Sequence, residues 1–490
     1  MPNSIKINDL WNGEWWLDLF LCRDFKSIIS IVASEIFWGH AFKVFLVRKN
    51  DFMKVYAFLP AKGNSERIES KNNRYLSGEK LFIRGLKKLI KCKSIDKVFL
   101  DSDSERMHDE SSYLNCYHML RDKALASNKT DGHSLFMNEL KSYDDADIYV
   151  QYLCTSPFLK PETIDHAVEY LISHPENDSV IFMKKEKTYN WCDGKPCYDI
   201  NKIPNSKDLK DTITEGMALY VIRKDAAIKL NRRYGDNPAF IYGDAIEYID
   251  INNLDEMELA TTIADGIKSQ EVKNLNLLKH FISSPMISDI LDDLQAETNL
   301  DYGGVIQGLS CNFAESVIFG RAKTLKLRKL RQGEDFNGIY DALSSYESVS
   351  NNDVIIVENE AKENAYFGDL NARLAIRAGA CGVVVDSVTR DVSRVRTLGL
   401  PVFSKGRNAT DVRRRATVES INKKITIQNV EVCPGDLIFA DGDAVVVIKD
   451  RYSQMIINKL YEKIKQENSV SLGIIKKESA KELIDNNGGF

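Results

Sequence analysis

The sequence predicts the α/β fold class, with two α/β domains in succession. At 490 residues the chain is too long for one ordinary hydrophobic core. Between residues 53 and 270, apolar strand patterns alternate with helical patterns, and residues 275–475 show strand, helix and strand before a β-rich closure. Alternation of this kind is typical of a mostly parallel sheet with helices on both faces, which is predicted for the first half, and the second half is predicted to have a core of its own.

Each element of the first domain has a local signal. KVYAFLP, DKVFLDSD and ADIYVQYL are apolar runs of strand length, and EKLFIRGLKKLIKC repeats apolar residues at helical spacing. Pro161 suits a first helical turn, so a helix is predicted to continue from Thr163 to His174. Further strands are predicted at SVIFM, MALYVIR and AIEYIDI.

The second domain opens with a short amphipathic helix in PMISDILDDL. A long basic strand follows, then DVIIVEN, a helix and strand in FGDLNARLAIRAGACGVVVDSVTRD, PVFSKG, and a terminal helix from about Tyr452; residues 476–490 are predicted to be a tail. The basic residues of the long strand are Arg321, Lys323, Lys326, Arg328, Lys329 and Arg331. We interpret them as a solvated strand face rather than as a nucleic-acid patch.

Composition narrows the classes of function. A net charge of −5 with 28% charged residues argues against a nucleic-acid binder. It does not argue against an enzyme that binds small acidic substrates. The nine cysteines are scattered, and Cys192 and Cys197 have no second pair or histidine nearby to complete a zinc site. They are interpreted as reduced thiols of a cytoplasmic protein.

Residues 1–52 are predicted to be an N-terminal extension of unknown role, either an appended segment or a start-site artefact. They show no secretory signal. Their apolar run from Ile28 to Val47 is interrupted by residues that are costly at the bilayer centre: Glu35, His40 and Lys43. A soluble or interfacial helix is therefore predicted, and no membrane span.

The loop that leaves the first strand is predicted to hold a polyphosphate. It runs from Ala61 to Asn72 at the carboxyl end of the strand, where ligands bind in such sheets. Gly63 and Asn64 can expose backbone N–H groups, and positive charge comes from Lys62, Arg67 and Lys71. The loop lacks the GxxxxGK[ST] order of a P-loop, which disfavours a Walker-type NTPase. The alternative is a solvated turn.

Two pairs of polar residues are predicted to reach the same rim of the sheet. Asp101 and Asp103 end the FLDSD strand, and Asp250 and Asn252 end YIDIN. Oxygen ligands around a polyphosphate imply Mg²⁺, with Asp103 and Asp250 as candidate ligands. The alternative for each pair is a helix cap or a turn residue.

Five motifs of the first domain stand in the order of a known family: LPAKGNSERIESKN, VFLDSD, LCTSPF, GMALYVI and YIDINNLDEMELA. In these motifs the domain resembles the acylneuraminate cytidylyltransferases, the CMP-sialic-acid-synthetase-like enzymes with a Rossmann-like nucleotidyltransferase fold. The resemblance implies that CTP and an acidic sugar give a CMP-sugar and pyrophosphate, with Mg²⁺ as cofactor. It implies Lys62, Gly63, Asn64, Ser65, Asn72 and Arg121 as nucleotide-binding residues, Arg67 and Lys71 as catalytic residues, and Asp250 as a metal ligand.

Some positions depart from that family pattern. Lys62 stands where arginine is usual, Glu66 where lysine is usual, and Asn252 in place of a second metal-binding aspartate. Leu153 and Cys154 replace the glutamine and proline before TSP. Loss of the glutamine removes a polar contact to the sugar, so the substrate is predicted not to be ordinary N-acetylneuraminate. Glu66 and Asn252 are expected to weaken phosphate or metal binding.

In the second domain, the candidate site residues are an aspartate and an Arg-Asp pair separated by twenty residues. Asp369 opens a helix after YFG, and twenty residues later a buried strand, CGVVVD, delivers Arg390 and Asp391 at its carboxyl end. An arginine can fork onto a carboxylate and an adjacent aspartate can hold a divalent cation, so together they would bind a 2-keto acid. The alternative is a structural Arg–Asp pair.

Here the motifs ISDILD, D-x20-R-D, LGLPVFSKG and VCPGDLIFADGDAVVVI closely resemble RraA-like proteins and the class II pyruvate aldolases of that fold. The resemblance implies a metal-dependent lyase of 4-hydroxy-2-oxo acids that can also decarboxylate oxaloacetate. It places Arg390 on the pyruvyl carboxylate, Asp391 on Mg²⁺ or Mn²⁺, and Asp369 on a catalytic water. It also implies a homo-oligomer. Glu358 and Asn359 replace the usual Gly-Gly, which is expected to narrow the pocket.

The best single hypothesis joins the two halves. It is a CTP-dependent enzyme that activates a 2-keto-3-deoxy sugar acid, a nonulosonate or octulosonate, fused to a domain that recognises the same end of the molecule. The open alternatives are a non-catalytic oligomerisation module, a protein-binding regulator, or activation of a different acid such as a phosphonate. No nucleic-acid or membrane partner is expected.

Overall fold

The computed structural model describes residues 53–65, 68–127 and 129–488. The predictions for residues 1–52, and the predicted catalytic residue Arg67 with its neighbour Glu66, lie outside the described residues.

The first half forms the predicted α/β fold around a seven-stranded sheet. Its strand order is β11-β7-β10-β6-β1-β4-β5, in which β1 pairs in parallel with β4 and β6, and β10 runs antiparallel to β6 and β7. The strands are β1 (Val55–Pro60), β4 (Lys97–Ser102), β5 (Tyr117–Leu120), β6 (Ile148–Tyr152), β7 (Ser179–Glu186), β10 (Thr212–Arg223) and β11 (Pro238–Tyr242), with short hairpins β2 (Tyr75–Leu76), β3 (Glu79–Lys80), β8 (Trp191–Cys192) and β9 (Lys195–Pro196).

Helices cover both faces of this sheet, which explains the near-continuous apolar runs of its central strands. They are α1 (Leu81–Lys91), α2 (Glu105–Glu110), α3 (Gly132–Ser142), α4 (Pro161–Ser173) and α5 (Lys224–Leu230). Phe58 of β1 and Phe136 of α3 belong to one buried cluster. On helix α1, a Cβ at Gly85 would lie 2.4 Å from Leu59 Cδ1, so glycine permits the close approach of this helix to the sheet.

The predicted strand AIEYIDI is wrong. Residues 245–248 form a turn, in which Asp244 Oδ1 accepts from the backbone N–H groups of Ile246 and Glu247. The Glu247 carboxylate is buried and accepts from the Lys160 backbone N–H and the Thr163 hydroxyl. Because these polar bonds hold a turn, Asp250 follows a turn rather than a strand.

A 25-residue helix, α6 (Leu254–Leu278), leads from the first half into the second. Asn253 and Glu256 cap its start reciprocally in a capping box. The helix runs through residues 271–274, where the sequence predicted a domain junction, and both halves belong to one compact unit that begins at Lys54. The predicted domain limits stay a prediction.

The second half folds around a nine-stranded sheet of order β12-β22-β21-β14-β15-β16-β17-β13, with β18 paired to β14. Strands β14 to β17 run parallel, as predicted for an α/β domain. The strands are β12 (Gly303–Ile306), β13 (Ser310–Cys311), β14 (Ile318–Lys329), β15 (Asp353–Asn359), β16 (Gly382–Thr389), β17 (Val402–Arg407), β18 (Ala416–Ile421), β19 (Ile425–Ile427), β20 (Val430–Val432), β21 (Leu437–Ala440) and β22 (Val445–Ile448).

Five helices complete this half: α7 (Ser284–Thr298), α8 (Asp369–Ala378), α9 (Val392–Thr397), α10 (Ser453–Ile475) and α11 (Ala480–Asn487). A 3-10 helix covers Phe336–Ser348. The predicted tail contains α11, which Ser479 and Glu482 cap reciprocally. Leu483 packs so closely on α10 that a Cβ at Gly473 would lie 2.4 Å from its Cδ2.

The basic strand β14 is not a solvated face along its whole length, so that interpretation is wrong for its first two basic residues. Arg321 binds Glu271 Oε1 and Asp450 Oδ1 at 2.6 and 2.7 Å. Lys323 donates to the Gly78 carbonyl of the first half at 2.5 Å. Both side chains face the first half because β14 lies beside helix α6 and the β2–β3 hairpin.

Cys192 and Cys197 face each other across the β8–β9 hairpin, with their Sγ atoms 2.8 Å apart and both thiols free. Among the described residues, no group of three or more His, Cys, Asp or Glu side chains is arranged to hold a metal ion. Within the same ranges, no helix has the length and apolar composition that crossing a membrane requires.

Candidate active sites

The basic loop leaves β1 against the end of β4. The Ala61 N–H donates to the Asp101 carbonyl, and the Gly63 N–H donates to Asp103 Oδ1 at 2.8 Å. A Cβ at Gly63 would lie 2.8 Å from Ser104 Cβ, so only glycine fits without a shift. The Gly63 N–H, which the sequence predicted to be exposed, is therefore used to fix the loop to Asp103.

A buried asparagine holds the two ends of this loop together. Asn72 is 7% exposed, and its Nδ2 donates to the Lys62 carbonyl at 3.0 Å. Its Oδ1 accepts from Cys154 Sγ at 3.4 Å. Lys62 Nζ in turn donates to the Ser127 carbonyl at 3.3 Å. Asn64 is exposed at the loop tip, and its Oδ1 accepts from the Ser65 N–H.

Lys71 joins the basic loop to the predicted metal-binding segment. Its Nζ donates to the Ile251 carbonyl at 2.7 Å, while the Ile251 N–H donates to the Thr155 carbonyl. The preceding Asp250 therefore lies beside the loop, as the sequence predicted. Asn252, which replaces a metal-binding aspartate of the family pattern, donates from Nδ2 to Asp250 Oδ2 at 2.6 Å.

The Asp250 carboxylate fits a magnesium ligand. Its Oδ1 is buried and has no hydrogen-bond partner among the described residues, whereas Oδ2 is held by Asn252. Carboxylate oxygens are hard ligands that suit Mg²⁺, which commonly takes one or two of them together with substrate phosphates and water. Asp103 is the second carboxylate available at this rim.

Arg121 is buried and faces the core. Its guanidinium binds Asp101 through Nε to Oδ1 at 2.8 Å and through Nη2 to the backbone carbonyl at 2.7 Å, and both side chains are at most 1% exposed. In the structure, Arg121 forms an internal ion pair with Asp101. Its nucleotide-binding role stays a prediction.

The sequence reasoning missed Glu139 and Gln151, which extend this pair into a buried polar network. Gln151 Nε2 donates to Glu139 Oε2 at 2.7 Å. Burial, and then the neighbouring Asp101, raise the pKa of Glu139 well above its ordinary value. The available signal was one polar residue inside an otherwise apolar strand, DIYVQYL, and one acid on the buried face of LFMNEL.

The second half brings together all three of its predicted site residues. Asp369 begins helix α8, and Arg390 and Asp391 follow the end of β16. The Arg390 N–H donates to the Phe367 carbonyl at 3.0 Å, and the Asp369 N–H donates to Asp391 Oδ2 at 3.3 Å. These two bonds, one to a backbone carbonyl and one to a side-chain carboxylate, hold the two segments side by side.

Gly368 makes this approach fit. A Cβ at that position would lie 2.7 Å from Asp391 Oδ2 and 3.0 Å from Arg390 Cγ. Asp391 itself has a positive φ of 54°, which aspartate tolerates better than most residues. The cluster thus depends on the absence of a side chain at Gly368 and on the left-handed backbone of Asp391.

Two charged partners of this cluster were not predicted. Arg390 Nη2 lies 2.5 Å from Asp411 Oδ2, and Arg373 Nε lies 3.2 Å from Asp369 Oδ1. Arg373 could have been found, because it stands four residues after Asp369 on one helix face. Asp411 comes from a distant loop and has no local signal.

The departure at residues 358 and 359 has a structural use. Asn359 is buried, and its Nδ2 donates to the Asn364 carbonyl and to Ser387 Oγ. Glu358 accepts from the Thr426 N–H at 2.8 Å. Both side chains therefore fix neighbouring loops. The Asp391 carboxylate is 41% exposed and has the oxygen donors that Mg²⁺ or Mn²⁺ prefers.

Two separate parts of the chain match protein-family models. Residues 56–225 match the family described as cytidylyltransferase, and residues 284–447 match the family described as aldolase/RraA, an RraA-like family. Both resemblances that the motifs carry are confirmed.

Curated relatives match the chain over shorter stretches. Protein DlpA of Legionella pneumophila is 31% identical over 38% of this chain and 29% of that protein. A putative 4-hydroxy-4-methyl-2-oxoglutarate aldolase of Halalkalibacterium halodurans is 29% identical over 37% of this chain and 80% of its own length. The CMP-N,N'-diacetyllegionaminic acid synthase of Legionella pneumophila is 30% identical over 24% of this chain and 53% of its own length. The chain thus spans less than a third of the first relative and about half of the third.

Proposed function

We propose that the first half is a cytidylyltransferase that couples CTP to an acidic sugar. The observation that carries the proposal is the bond from Lys71 to the Ile251 carbonyl, which draws the basic loop to Asp250. Positive charge for a triphosphate and a carboxylate oxygen without a hydrogen-bond partner then share one rim of the sheet. The family match of residues 56–225 supports the same reaction class.

In the proposed reaction, a sugar hydroxyl oxygen attacks the α-phosphorus of CTP and loses its proton to solvent, and pyrophosphate leaves with the electrons of the broken P–O bond. Lys62 and Lys71 offset the negative charge of the phosphates, and Asn72 keeps the loop in place. Mg²⁺, when bound, neutralises charge on the transferring and leaving phosphates, and Asp103 and Asp250 are the residues that would hold it.

The proposed sugar is a 2-keto-3-deoxy acid of nonulosonate or octulosonate type other than N-acetylneuraminate. Cys154 replaces a residue of the family's Gln-Pro pair, and its thiol is buried against Asn72. Burial raises the pKa of Cys154 to about 12, so it stays a neutral thiol. The glutamine itself is replaced by Leu153, whose apolar side chain gives the sugar no polar contact, and this supports a changed substrate.

Pyrophosphate release tests this proposal. The purified protein with Mg²⁺ is given CTP or another nucleotide, together with a sialic, legionaminic, pseudaminic or octulosonic acid or with a phosphonate. Release with CTP and one acid is expected, and Lys71→Met should reduce it strongly, because a charge at the phosphates is lost. Lys185→Met is the matched control, since Lys185 is an exposed lysine of the same half. Release with a phosphonate alone would point to the different-acid alternative.

A second activity is proposed for the other half, a metal-dependent lyase or decarboxylase acting on 2-keto acids. It rests on the cluster of Asp369, Arg390 and Asp391 around Gly368. Arg390 would bind the substrate carboxylate and Asp369 would orient a water. Mg²⁺ or Mn²⁺, when bound by Asp391, polarises a keto oxygen.

Oxaloacetate decarboxylation with Mg²⁺ or Mn²⁺ tests the second activity. Arg390→Ala should abolish it, whereas Arg394→Ala, which removes an exposed arginine of the next helix, should leave it unchanged. Activity that survives Arg390→Ala would show that Arg390 does not bind the substrate carboxylate, whereas no activity in the parent protein favours a non-catalytic oligomerisation or regulatory module. The proposed homo-oligomer is tested by light scattering of the full chain.

A further inference from the structure

A charged cavity lies between the two halves, away from both candidate sites. It has a volume of about 430 Å³, within the range of small-molecule sites. The β2–β3 hairpin and helix α1 line it from the first half, strand β14 lines it from the second, and helix α6 lies along its wall. None of the residues that we assign to the two candidate sites is among its lining residues.

The lining of this cavity carries an excess of positive charge. Nine lysine and arginine side chains face six carboxylates. Five of those carboxylates are each shared by two cations; Glu79 serves Lys87 and Arg84, and Asp450 serves Lys91 and Arg321. Internal ion pairing therefore cannot neutralise all nine cations, and like charges held close together repel one another.

Among the described residues at the wall, two donors lack a hydrogen-bond acceptor and one lysine has no carboxylate partner. The Ser77 Oγ and Arg84 Nε atoms are buried and have no hydrogen-bond acceptor among the described residues. Arg84 Nε lies 3.8 Å from Glu79, too far for a hydrogen bond. Within the described part of the chain, Lys88 donates only to the Pro157 and Leu159 carbonyls, and burial, followed by the nearby Arg84, lowers the pKa of Lys88 to about 7.

We propose that this cavity binds a small polyanion, a molecule with two or more carboxylate or phosphate charges. Such a ligand supplies the negative charge that the six carboxylates of the lining do not. The site is independent of the reactions proposed above, since it depends only on the charge and donors of the cavity.

The bound anion would also connect the halves. Gly78 of the β2–β3 hairpin accepts from Lys323 of β14, so the hairpin already contacts the second half. The hairpin follows the 3-10 helix Lys71–Asn73 directly, and the Leu81 N–H closes it by donating to the Arg74 carbonyl. An anion held here would therefore fix the segment that leads out of the basic loop.

Calorimetric titration of the full-length protein with citrate, and separately with inorganic phosphate, tests the proposal. One saturable site per chain is expected, with affinity at least about tenfold weaker in the double variant Arg84→Gln/Lys88→Gln, because charge-assisted hydrogen bonds are lost. The control Lys185→Gln should bind as the parent does. Tighter binding of citrate indicates a carboxylate ligand, and tighter binding of phosphate indicates a phosphate ligand.

Circular dichroism and thermal unfolding without anion establish that each variant is folded. If the double variant does not fold, Lys91→Gln, at the 41% exposed rim, should weaken binding about threefold or more. Unchanged affinity in a folded cavity variant overturns the proposal. So does the lack of both heat and thermal stabilisation with either anion, or loss of binding in Lys62→Ala or Arg390→Ala, which would place the anion in a candidate active site.

Discussion

The two halves each contain a predicted ligand-binding arginine, and the structure places the two arginines in opposite environments. Arg121 and Asp101 are 1% and 0% exposed, whereas Arg390 and its partner Asp411 are 36% and 35% exposed. A buried pair has given up its water and depends on its internal partner, but a half-exposed pair can exchange its partner for a ligand. The comparison teaches that the same residue type is fixed inside the core in one half and stays partly exposed, with a partner it can exchange, in the other.

The largest expected effect comes from removing the buried arginine, Arg121. Arg121→Ala leaves Asp101 buried beside Glu139 without its cation, so we expect the free energy of unfolding to fall by about 3–5 kcal/mol. Arg390→Ala should cost less than about 1 kcal/mol, because its pair is partly solvated. Urea unfolding measures both variants.

Lys185→Ala, which removes an exposed ion pair with Asp211, is the control and should shift the urea midpoint far less than Arg121→Ala does. If Arg121→Ala kept the parent's midpoint but lost CTP binding, Arg121 would be a direct ligand of the nucleotide, and the contrast between the two arginines would fail.

An ion pair of intermediate exposure sharpens the comparison through pH. Burial opposes ionisation of Glu79, but Lys87 and Arg84 outweigh it and lower the pKa of Glu79 to about 2. Its folded pKa lies below the unfolded value of about 4.3, so this stabilisation is fully present above about pH 4.3 and is lost as the pH falls towards 2. Roughly 2–3 kcal/mol should be lost from this group.

Urea unfolding at pH 7, 5 and 3 measures the first part of this loss, which is complete only below about pH 2. Glu79→Gln should be less stable than the parent at pH 7 and should lose less stability between pH 5 and pH 3, because the titrating carboxylate is gone. Parallel losses in the two proteins would show that other carboxylates control the acid response.

The cluster of Asp369, Arg390 and Asp391 is tested by adding a side-chain atom at Gly368. Gly368→Ala places a Cβ 2.7 Å from Asp391 Oδ2, so Asp391 and Arg390 must move. We expect a cost of about 1–3 kcal/mol in stability, as for overpacking, together with a large loss of 2-keto acid turnover. Gly442→Ala is the control, because a Cβ at Gly442 meets open space. Gly399 also has open space around it, but its positive φ would add backbone strain to an alanine. Normal turnover in Gly368→Ala would mean that this spacing does not set the active geometry.

The same contrast explains what could be predicted from sequence. Asp369 at a helix start and Arg390 and Asp391 after a strand are local signals, so the second cluster follows once those two elements are placed. Most strands and helices were predictable for the same reason. The pair of Arg121 and Asp101 joins residues that are twenty positions apart on neighbouring segments, and no local pattern distinguishes it from a ligand site.

The errors have a shared physical cause in long-range contacts. The strand pattern at residues 245–251 is overridden by Glu247, whose carboxylate bonds to a segment more than eighty residues earlier. The basic strand appeared to be solvated because its partners, Glu271, Asp450 and the Gly78 carbonyl, come from elements distant in sequence. Charge periodicity alone does not identify what a strand face meets.

The smallest expected effect concerns the basic loop of the first half. This loop is held by a neutral hydrogen bond, whereas the cluster in the second half contains ion pairs. Asn72→Ala removes the bond to the Lys62 carbonyl, worth about 0.5–1.5 kcal/mol. The loop should be held less well, so the KM for CTP should rise severalfold while kcat changes less. Steady-state pyrophosphate release measures both constants, and Asn190→Ala, in the hairpin region of the same half, is the control. A fall in kcat at constant KM would instead mean that the Asn72 side chain acts in the transition state rather than by holding the loop in place.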